Sequence, residues 1–460
     1  MTAASIVPFL TREALPHPAS TPPVRIVHLG LGAFHRSHQA CYTAHAADAD
    51  RWGIAAFTGR RPDAAQTLAA QDCVYTLIER GPEGDRFELI GSIVQASAGD
   101  DIAGFVATFA SPHVAVVTLT VTEAGYRVDA TGALELDDPD VRSDIELLRD
   151  LLGKRDPVPA EGPGPRTVPG RLLLGLHHRR LTDAPPVAIV PCDNLPENGP
   201  LVRRALDRLA QEVDPALAEW LPRGASFVST SVDRITPRLD PSDRTLVATT
   251  TGWLDETPVV TEPFADWVLA GEFPSGRPQW ESAGARFVDD IAPWEARKLW
   301  MLNGAHTLLA SSGRLRGHET VAEAFADPVC RGQVDELWEE AGRSLPAVET
   351  IHYRQALAER FANPRIIHRL DQIAEGSRTK LRLRIVPVAI AERAAGRRAA
   401  GAATAIAAWI LQEAADADPS ETVREVAPEL EDDEGFAQTV QHILSAMQAD
   451  RTPEKVGTNR

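Results

Sequence analysis

The sequence predicts an α/β protein: a doubly wound parallel sheet in the N-terminal part, followed by a mostly α-helical C-terminal domain. Short runs that are apolar throughout recur in the first 290 residues, as strands buried on both faces of a parallel sheet do. Segments of helical periodicity separate those runs, which is the rhythm of strand–helix–strand crossovers. From about Pro293 onward strand-like runs nearly vanish, and Ala-, Leu-, Glu- and Arg-rich stretches of helical period take over. At 460 residues the chain is too long for one ordinary core, so two domains are expected, 1–290 and 291–460.

Five runs read as strands: Val24–Gly30, Trp52–Gly59, Val114–Val121, Val187–Pro191 and Ala225–Asp233. Between them Gln39–Ala49 and Leu201–Gln211 carry helical periodicity. Gly153–Gly170 is rich in Pro and Gly and reads as a long surface loop inside the first domain, because the strand rhythm resumes after it. In the second domain the helical stretches are Trp294–Ser312, Val334–Ala341, His352–Phe361, Ala399–Asp416 and Gly435–Asp450.

Composition narrows the function classes. Lys and Arg number 47 against 65 Asp and Glu, a formal net charge of -18. Such a surface repels phosphate backbones and anionic lipid, so neither nucleic acid nor a membrane is an expected partner. Cys41, Cys73, Cys192 and Cys330 are far apart and form no C-x-x-C pair; they read as reduced thiols, not as a disulfide framework or zinc cluster. Met1–Pro23 lacks a basic start followed by a long apolar run, and no stretch approaches the roughly 20 apolar residues of a bilayer span. The expectation is a cytoplasmic protein acting on a small molecule, with its oligomeric state left open.

The first strand runs directly into Gly30-Leu31-Gly32-Ala33-Phe34-His35-Arg36. A G-x-G followed by a helix start is where a dinucleotide pyrophosphate sits on main-chain amides. Gly30 allows the tight turn, Gly32 lets the backbone approach the phosphates, and Ala33 and Phe34 open the helix. His35 stands where the third glycine of that fingerprint is expected. The second strand ends at Thr58-Gly59-Arg60-Arg61, about 28 residues on, where an acidic residue would hold the ribose hydroxyls of NAD. None occurs before Asp63. Arg60 and Arg61 could meet the 2'-phosphate of NADP or stack on adenine, so the choice of NAD or NADP stays open. His35 and His38 have a spacing that permits a metal pair, but no carboxylate or third ligand accompanies them. They read instead as helix-start contacts near the cofactor, with no metal site.

The run Ala292–Leu315 carries the other candidate site. At about 100° per residue with Lys298 at the origin, Glu295 falls at about 60°, His306 at about 80° and Asn303 at about 140°. Leu299 and Leu302 share that face, so it combines apolar residues with four polar groups, as functional sites do. Oxidising a secondary alcohol by hydride transfer needs a base for the hydroxyl proton. A lysine, at about 10.4 too basic when unperturbed, is tuned downward by burial and by a positively charged nicotinamide. An Asn amide can donate to the alkoxide-like oxygen, and His306 could orient a neighbouring hydroxyl.

Five blocks in order, Ile26–Gln39, Thr118–Tyr126, Cys192–Gly199, Ser231–Pro237 and Lys298–Leu308, resemble the polyol-specific long-chain dehydrogenase/reductase family of mannitol 2-dehydrogenase and fructuronate reductase type. The resemblance implies a Rossmann-like N-terminal domain, a helical C-terminal domain and a site in the cleft between them. It implies a metal-independent, NAD-dependent (NADP possible) oxidoreductase with Lys298 as general acid/base. Asn194 and Asn303 would stabilise the oxyanion, His306 would bind substrate hydroxyls, and Glu295 would link the lysine to solvent. Asp233 falls at a substrate-contacting position, Thr122 joins the cofactor set, and Cys192 and Asp193 serve to position Asn194.

A sixth segment, Arg369–Arg384, departs from the family pattern. Gln372 stands where mannitol-type enzymes tend to carry arginine, and Glu375-Gly376-Ser377 replaces Asp-Gly-Ser. Lys380 is still expected to reach substrate. The implied reaction interconverts a linear sugar alcohol and its ketose, such as mannitol and fructose. Alternatives are reduction of fructuronate or tagaturonate, with Arg369, Lys380, Arg382 or Arg384 meeting the carboxylate, and oxidation of mannitol 1-phosphate. A catalytically silent dinucleotide sensor is the rival from another class, and the intact Lys298, Asn194, Asn303 and His306 speak against it.

Overall fold

The computed structural model of the chain describes residues 7–15, 21–59, 61–153, 164–414 and 418–451. It divides into two compact units, Met1–Ile291 and Ala292–Arg460. The strands of the first unit are β1 (Val24–Leu29), β2 (Gly53–Phe57), β3 (Tyr75–Gly81), β4 (Gly84–Ile90), β5 (Ile93–Ser97) and β6 (Val116–Leu119). They continue with β7 (Val187–Pro191), β8 (Ala225–Phe227), β9 (Ser229–Asp233), β10 (Val259–Thr261), β11 (Asp266–Ala270) and β12 (Arg286–Phe287).

One parallel sheet has the order β5-β2-β1-β6-β7-β8. In chain order this is third, second, first, fourth, fifth, sixth, the doubly wound dinucleotide-binding arrangement. Every residue of β2, β6 and β7 is buried, because helices and further sheets cover both faces. Alternation sends Val27, Leu29, Phe57, Val117 and Ile189 into a core with helices Ile102–Phe109, Pro139–Leu152, Val168–Leu181 and Asn198–Val213. Ile26, Ile54, Ala56, Val116 and Val190 point the other way, toward Tyr42, Trp267 and Trp280.

The structure adds strands that a search for continuous apolar runs misses. Hairpin β3–β4 turns across Gly81–Gly84, and β3 also pairs with β10. The run Ala225–Asp233, read as one strand, is two. Val228 N–H still donates to the Ile189 carbonyl in the main sheet (2.9 Å), and β9 then pairs antiparallel with β11. The loop expected over Gly153–Gly170 ends at Thr167, whose hydroxyl caps helix Val168–Leu181 by accepting Gly170 N–H; residues 154–163 lie outside the described residues.

The second unit is helical, and among its described residues the strand-type pairing is an isolated bridge, Thr320 with Arg369. Its central helix is Ala400–Glu413, buried at every position from Gly401 to Ile410. A Cβ on Gly401 would stand 2.7 Å from the Leu337 amide nitrogen, so glycine permits this close crossing with helix Pro328–Arg343. The buried Glu340 carboxylate accepts the amides of Gly401 and Ala402 (both 2.9 Å), holding the helix start. All four cysteines are buried and free. Among the described residues no helix is long and apolar enough to cross a membrane. Nor does any group of three or more His, Cys, Asp or Glu stand ready to hold a metal ion.

Candidate active site

In the first unit the C-terminal ends of β1, β2 and β6 open onto a cavity of about 550 Å3, at the point where the strand order reverses. Gly30 lines it with φ +106°, and a Cβ there would overlap the Thr120 carbonyl at 2.1 Å. Only glycine allows that turn and that approach. The Gly30 and Leu31 amides donate to the Phe57 carbonyl (2.9 and 3.0 Å), tying the loop to the end of β2. Gly32 caps the short helix Ala33–Ser37 from an extended conformation. Ala33 is exposed, and the half-buried Phe34 stacks on His38 at 5.0 Å. Thr122 is exposed and lines the cavity. Arg60 lies outside the described residues, and Arg61 is exposed.

A chain of hydrogen bonds fixes the loop from below. The Thr120 hydroxyl donates to the Gly30 carbonyl (2.9 Å), so it accepts from His28 Nε2–H (3.0 Å), and His28 Nδ1 accepts from the Thr118 hydroxyl (2.9 Å). That directionality assigns one neutral tautomer to His28, and burial pushes its pKa down to about 3. His35 stacks flat on His28, centroids 3.3 Å apart and 8° from parallel. Burial, then the cost of a second positive charge beside the His28 imidazole, holds His35 far below the usual histidine range. Hence His35 and His38 are not helix-start contacts exposed to cofactor. Both are fully buried, and His38 packs among Phe34, Tyr42 and Trp267. The stacked imidazole pair takes up the helix–strand contact that a third glycine would otherwise make.

At the end of β7, Asn194 is exposed and Asp193 beneath it is buried. Tyr126 Oη donates to Asp193, and burial raises the Asp193 pKa to about 6. Asn198 stitches this turn to β9, donating to the Thr230 carbonyl (3.0 Å) and accepting Thr230 N–H (2.9 Å). Glu197 adopts a left-handed φ of +48°, unusual for a side-chain-bearing residue. Asp233 ends β9, buried and paired in register with Asp266.

In the second unit helix Ala292–Arg297 passes into a π-helical stretch, Lys298–Asn303, and then into helix Gly304–Leu315. The Gly304 amide reaches back to the Leu299 carbonyl, an i→i−5 bond. The uniform 100° step therefore fails between Lys298 and Asn303. Five-residue hydrogen bonding brings those two side chains onto neighbouring positions one turn apart, where the regular wheel set them far around the face. Displaced carbonyls find side-chain donors: Trp338 Nε1 to Met301 (2.9 Å), Thr307 Oγ1 to Asn303 (2.9 Å) and Arg384 Nη1 to Asn303 (3.5 Å). Glu295, Lys298 and Asn303 are half-buried, and His306 is buried.

His306 lies against Phe361 and His368, centroids 4.8 and 4.7 Å away. Burial holds it neutral, far below the usual histidine range, with His368, Arg360 and Arg384 adding repulsion. Arg384 also donates to the Thr307 hydroxyl (3.2 Å), and burial alone pushes its pKa down to about 10. Lys380, one turn earlier, donates to the Ile373 carbonyl (2.9 Å). Arg369 is exposed and paired with Asp371 (3.1 Å) and Glu319 (3.6 Å). The sequence reading singled out neither Thr120, Arg127, Arg166 and Arg171 on the cavity wall nor the pairing of His368 with His306. Thr120 lies within the Thr118–Tyr126 block and Arg127 directly follows it, whereas Arg166 and Arg171 lie outside every motif.

A family described as the mannitol dehydrogenase Rossmann domain matches residues 24–282, and the mannitol dehydrogenase C-terminal domain matches residues 290–453. The chain is 38% identical to D-mannonate oxidoreductase of Escherichia coli over 375 residues, 79% of this chain and 74% of that one. It is 35% identical to mannitol 2-dehydrogenase of Neosartorya fischeri over 378 residues, 79% and 72% of the two chains. Among solved structures, mannitol 2-dehydrogenase of Pseudomonas fluorescens with NAD and D-mannitol aligns with TM-score 0.73 at 29% identity, over 93% and 92% of the chains. A substrate-free D-sorbitol dehydrogenase aligns with TM-score 0.86 at 25% identity, over 96% and 98%.

Proposed function

The chain belongs to the mannitol dehydrogenase family, and on that premise we propose that it transfers a hydride reversibly between NAD(H) and a secondary-alcohol carbon of a linear sugar derivative, with Lys298 as general acid/base. NAD(H), when bound, would supply the hydride-transfer chemistry. Gly30, Gly32, Ala33, Phe34 and Thr122 would hold it; Arg60, expected from the sequence to meet its ribose, lies outside the described residues. In the oxidative direction the neutral Lys298 amine takes the hydroxyl proton. Asn194 and Asn303 donate to the oxygen as it gains charge. Glu295 passes the lysine proton to solvent. The neutral His306 orients an adjacent hydroxyl, and Asp233 and Lys380 contact the substrate. The observation that carries this reading is the π-helical stretch, which sets Lys298 and Asn303 one turn apart on a half-buried face. Such interruptions occur mostly at functional sites.

Within that class a sugar acid, a ketouronate such as fructuronate reduced to its aldonate, is favoured over a neutral ketose. Arg384 supports it: a half-buried cation on the Asn303–Thr307 turn with no carboxylate partner among the described residues. Arginine matches a carboxylate fork. Arg369, by contrast, is already matched by two carboxylates. NADH oxidation with fructose, fructuronate, tagaturonate and fructose 6-phosphate tests this. Fastest turnover is expected with a ketouronate, with KM raised about tenfold or more in Arg384→Ala. Turnover of fructose alone would return the reading to mannitol and fructose, and of fructose 6-phosphate alone to a sugar phosphate. NADH binding without turnover of any of the four would leave a silent sensor.

A further inference from the structure

Among the described residues the cavity at the end of β1, β2 and β6 has three arginines on its wall, Arg127, Arg166 and Arg171, and no acidic residue. In a protein of net charge -18 an all-cationic wall calls for an anion. Two of the three are committed: Arg127 pairs with Asp138 (3.2 Å) and Asp140, and Arg166 with Asp140 (3.3 Å). Arg171 is held differently. Its Nε donates to the Pro165 carbonyl (3.0 Å), which leaves the Nη1–Nη2 fork without a carboxylate in ion-pair range among the described residues. Of the acids that act on it, Asp144 spends both oxygens on the Arg166 and Thr167 amides and the Thr167 hydroxyl. Asp100 is exposed.

The fork points at the end of β2. A Cβ on Gly99 would lie 3.0 Å from Arg171 Nη1, 2.1 Å from the Gly59 carbonyl oxygen and 2.3 Å from that of Thr58. Gly99 is thus the spacer between the guanidinium and the last residues of the strand, and its amide is tied to the Thr58 hydroxyl (2.9 Å). In a doubly wound nucleotide fold the adenosine ribose 2'-position lies at this strand end, held by an acid for NAD or met by an arginine for NADP. Here the strand ends on the exposed Gly59, with nothing within 4 Å of where its Cβ would be. Space is open there, and among the described residues no carboxylate lines the cavity; Asp100, which acts on Arg171, is exposed to solvent.

We propose that this cavity accepts the 2'-phosphate of NADP(H), with Arg171 as the side chain that meets it, so that NADPH binds at least as well as NADH. The proposal rests on the nucleotide reading given above. Calorimetric titration of the full chain with NADH, NADPH and 2',5'-ADP tests it without any sugar. NADPH is expected to bind as tightly as NADH or more tightly. Arg171→Leu should weaken NADPH and 2',5'-ADP about tenfold or more, and NADH less than about threefold, as loss of one charge-assisted contact requires. Gly59→Asp, which meets no steric obstacle, should shift preference the other way by setting a carboxylate against the phosphate. Wild-type binding of NADH with NADPH about tenfold weaker overturns the proposal and leaves the nucleotide reading standing. Equal losses for both nucleotides in Arg171→Leu, with Gly59→Asp silent, also overturn it. Binding of neither nucleotide overturns the nucleotide reading itself.

Discussion

Around the cavity at the ends of β1, β2 and β6 the main chain does the positioning: Gly30 turns where no side chain fits, its amide is tied to β2, and its carbonyl is held by Thr120. Along the Lys298 helix side chains do it: Trp338, Thr307 and Arg384 occupy carbonyls that a π-helical stretch displaces. A site made of backbone tolerates exchange of many neighbouring side chains but not the addition of one carbon. A site made of side chains behaves in the opposite way. The two should therefore fail differently. Lys298→Ala is expected to leave folding and NADH affinity near wild type while kcat falls by about 10² to 10⁴, the usual worth of general acid/base catalysis. Equilibrium titration beside steady-state rates separates the two. An equal loss of NADH affinity would break the contrast.

Gly30→Ala is the counterpart. It demands a positive φ of an L-residue and drives a methyl group into the Thr120 carbonyl at 2.1 Å. A stability loss of about 2 to 4 kcal/mol is expected, together with loss of NADH binding in whatever fraction stays folded. Thermal melts and calorimetry read both. Thr120→Val, which removes the hydroxyl holding the Gly30 carbonyl, should produce a milder version, about 1 kcal/mol.

This contrast governs how much was legible in the sequence. The strands β1, β2, β6 and β7 could be read because burial on both faces leaves a continuous apolar run, and the glycine turn could be read because backbone rules are local. The edge strand β5 escaped because only Ile93 of its five residues is fully buried. Hairpin β3–β4 escaped because only the first four residues of β3 are buried and β4 stays exposed or half-buried until Ile90. The break between β8 and β9 leaves no mark because no Gly, Pro or charged residue interrupts Ala225–Val232. Lys298, Asn303 and His306 could be named from their chemistry. Nothing in Lys-Leu-Trp-Met-Leu-Asn announces five-residue hydrogen bonding, so their angular relation could not. Arg171 escaped for a third reason: it reaches the end of β2 from a helix more than a hundred residues downstream.

The end of β7 allows a pH test of the backbone-built half. Asp193 has a folded-state pKa of about 6, raised by burial, against about 3.9 in an unfolded chain. Between those values the folded state holds the proton that the unfolded state has released, so stability falls as pH rises through the window. The penalty is absent below about pH 4 and complete above about pH 6, reaching up to about 3 kcal/mol. Asp193→Asn keeps an acceptor for Tyr126 and cannot ionise. Its melting temperature relative to wild type should climb between pH 4 and pH 6 and then level. A constant difference across that range would mean that Asp193 is already ionised when folded at low pH.

The smallest expected effect sharpens the comparison from the other side. Arg369 and Arg384 come from one segment and carry the same charge, but the first is solvent-exposed with Asp371 and Glu319 around it. The second is half-buried on the Asn303–Thr307 turn. An exposed ion pair contributes little, about 0 to 1 kcal/mol, and a guanidinium matched to two carboxylates has little attraction left for a third. Arg369→Ala should therefore alter KM for the preferred ketose or ketouronate by less than about twofold and stability by under about 1 kcal/mol. Arg384→Ala, measured in the same assay, should act mainly on KM. If Arg369→Ala raises KM as much as Arg384→Ala does, substrate recognition extends along the whole 369–384 segment and is not confined to the turn beside His306.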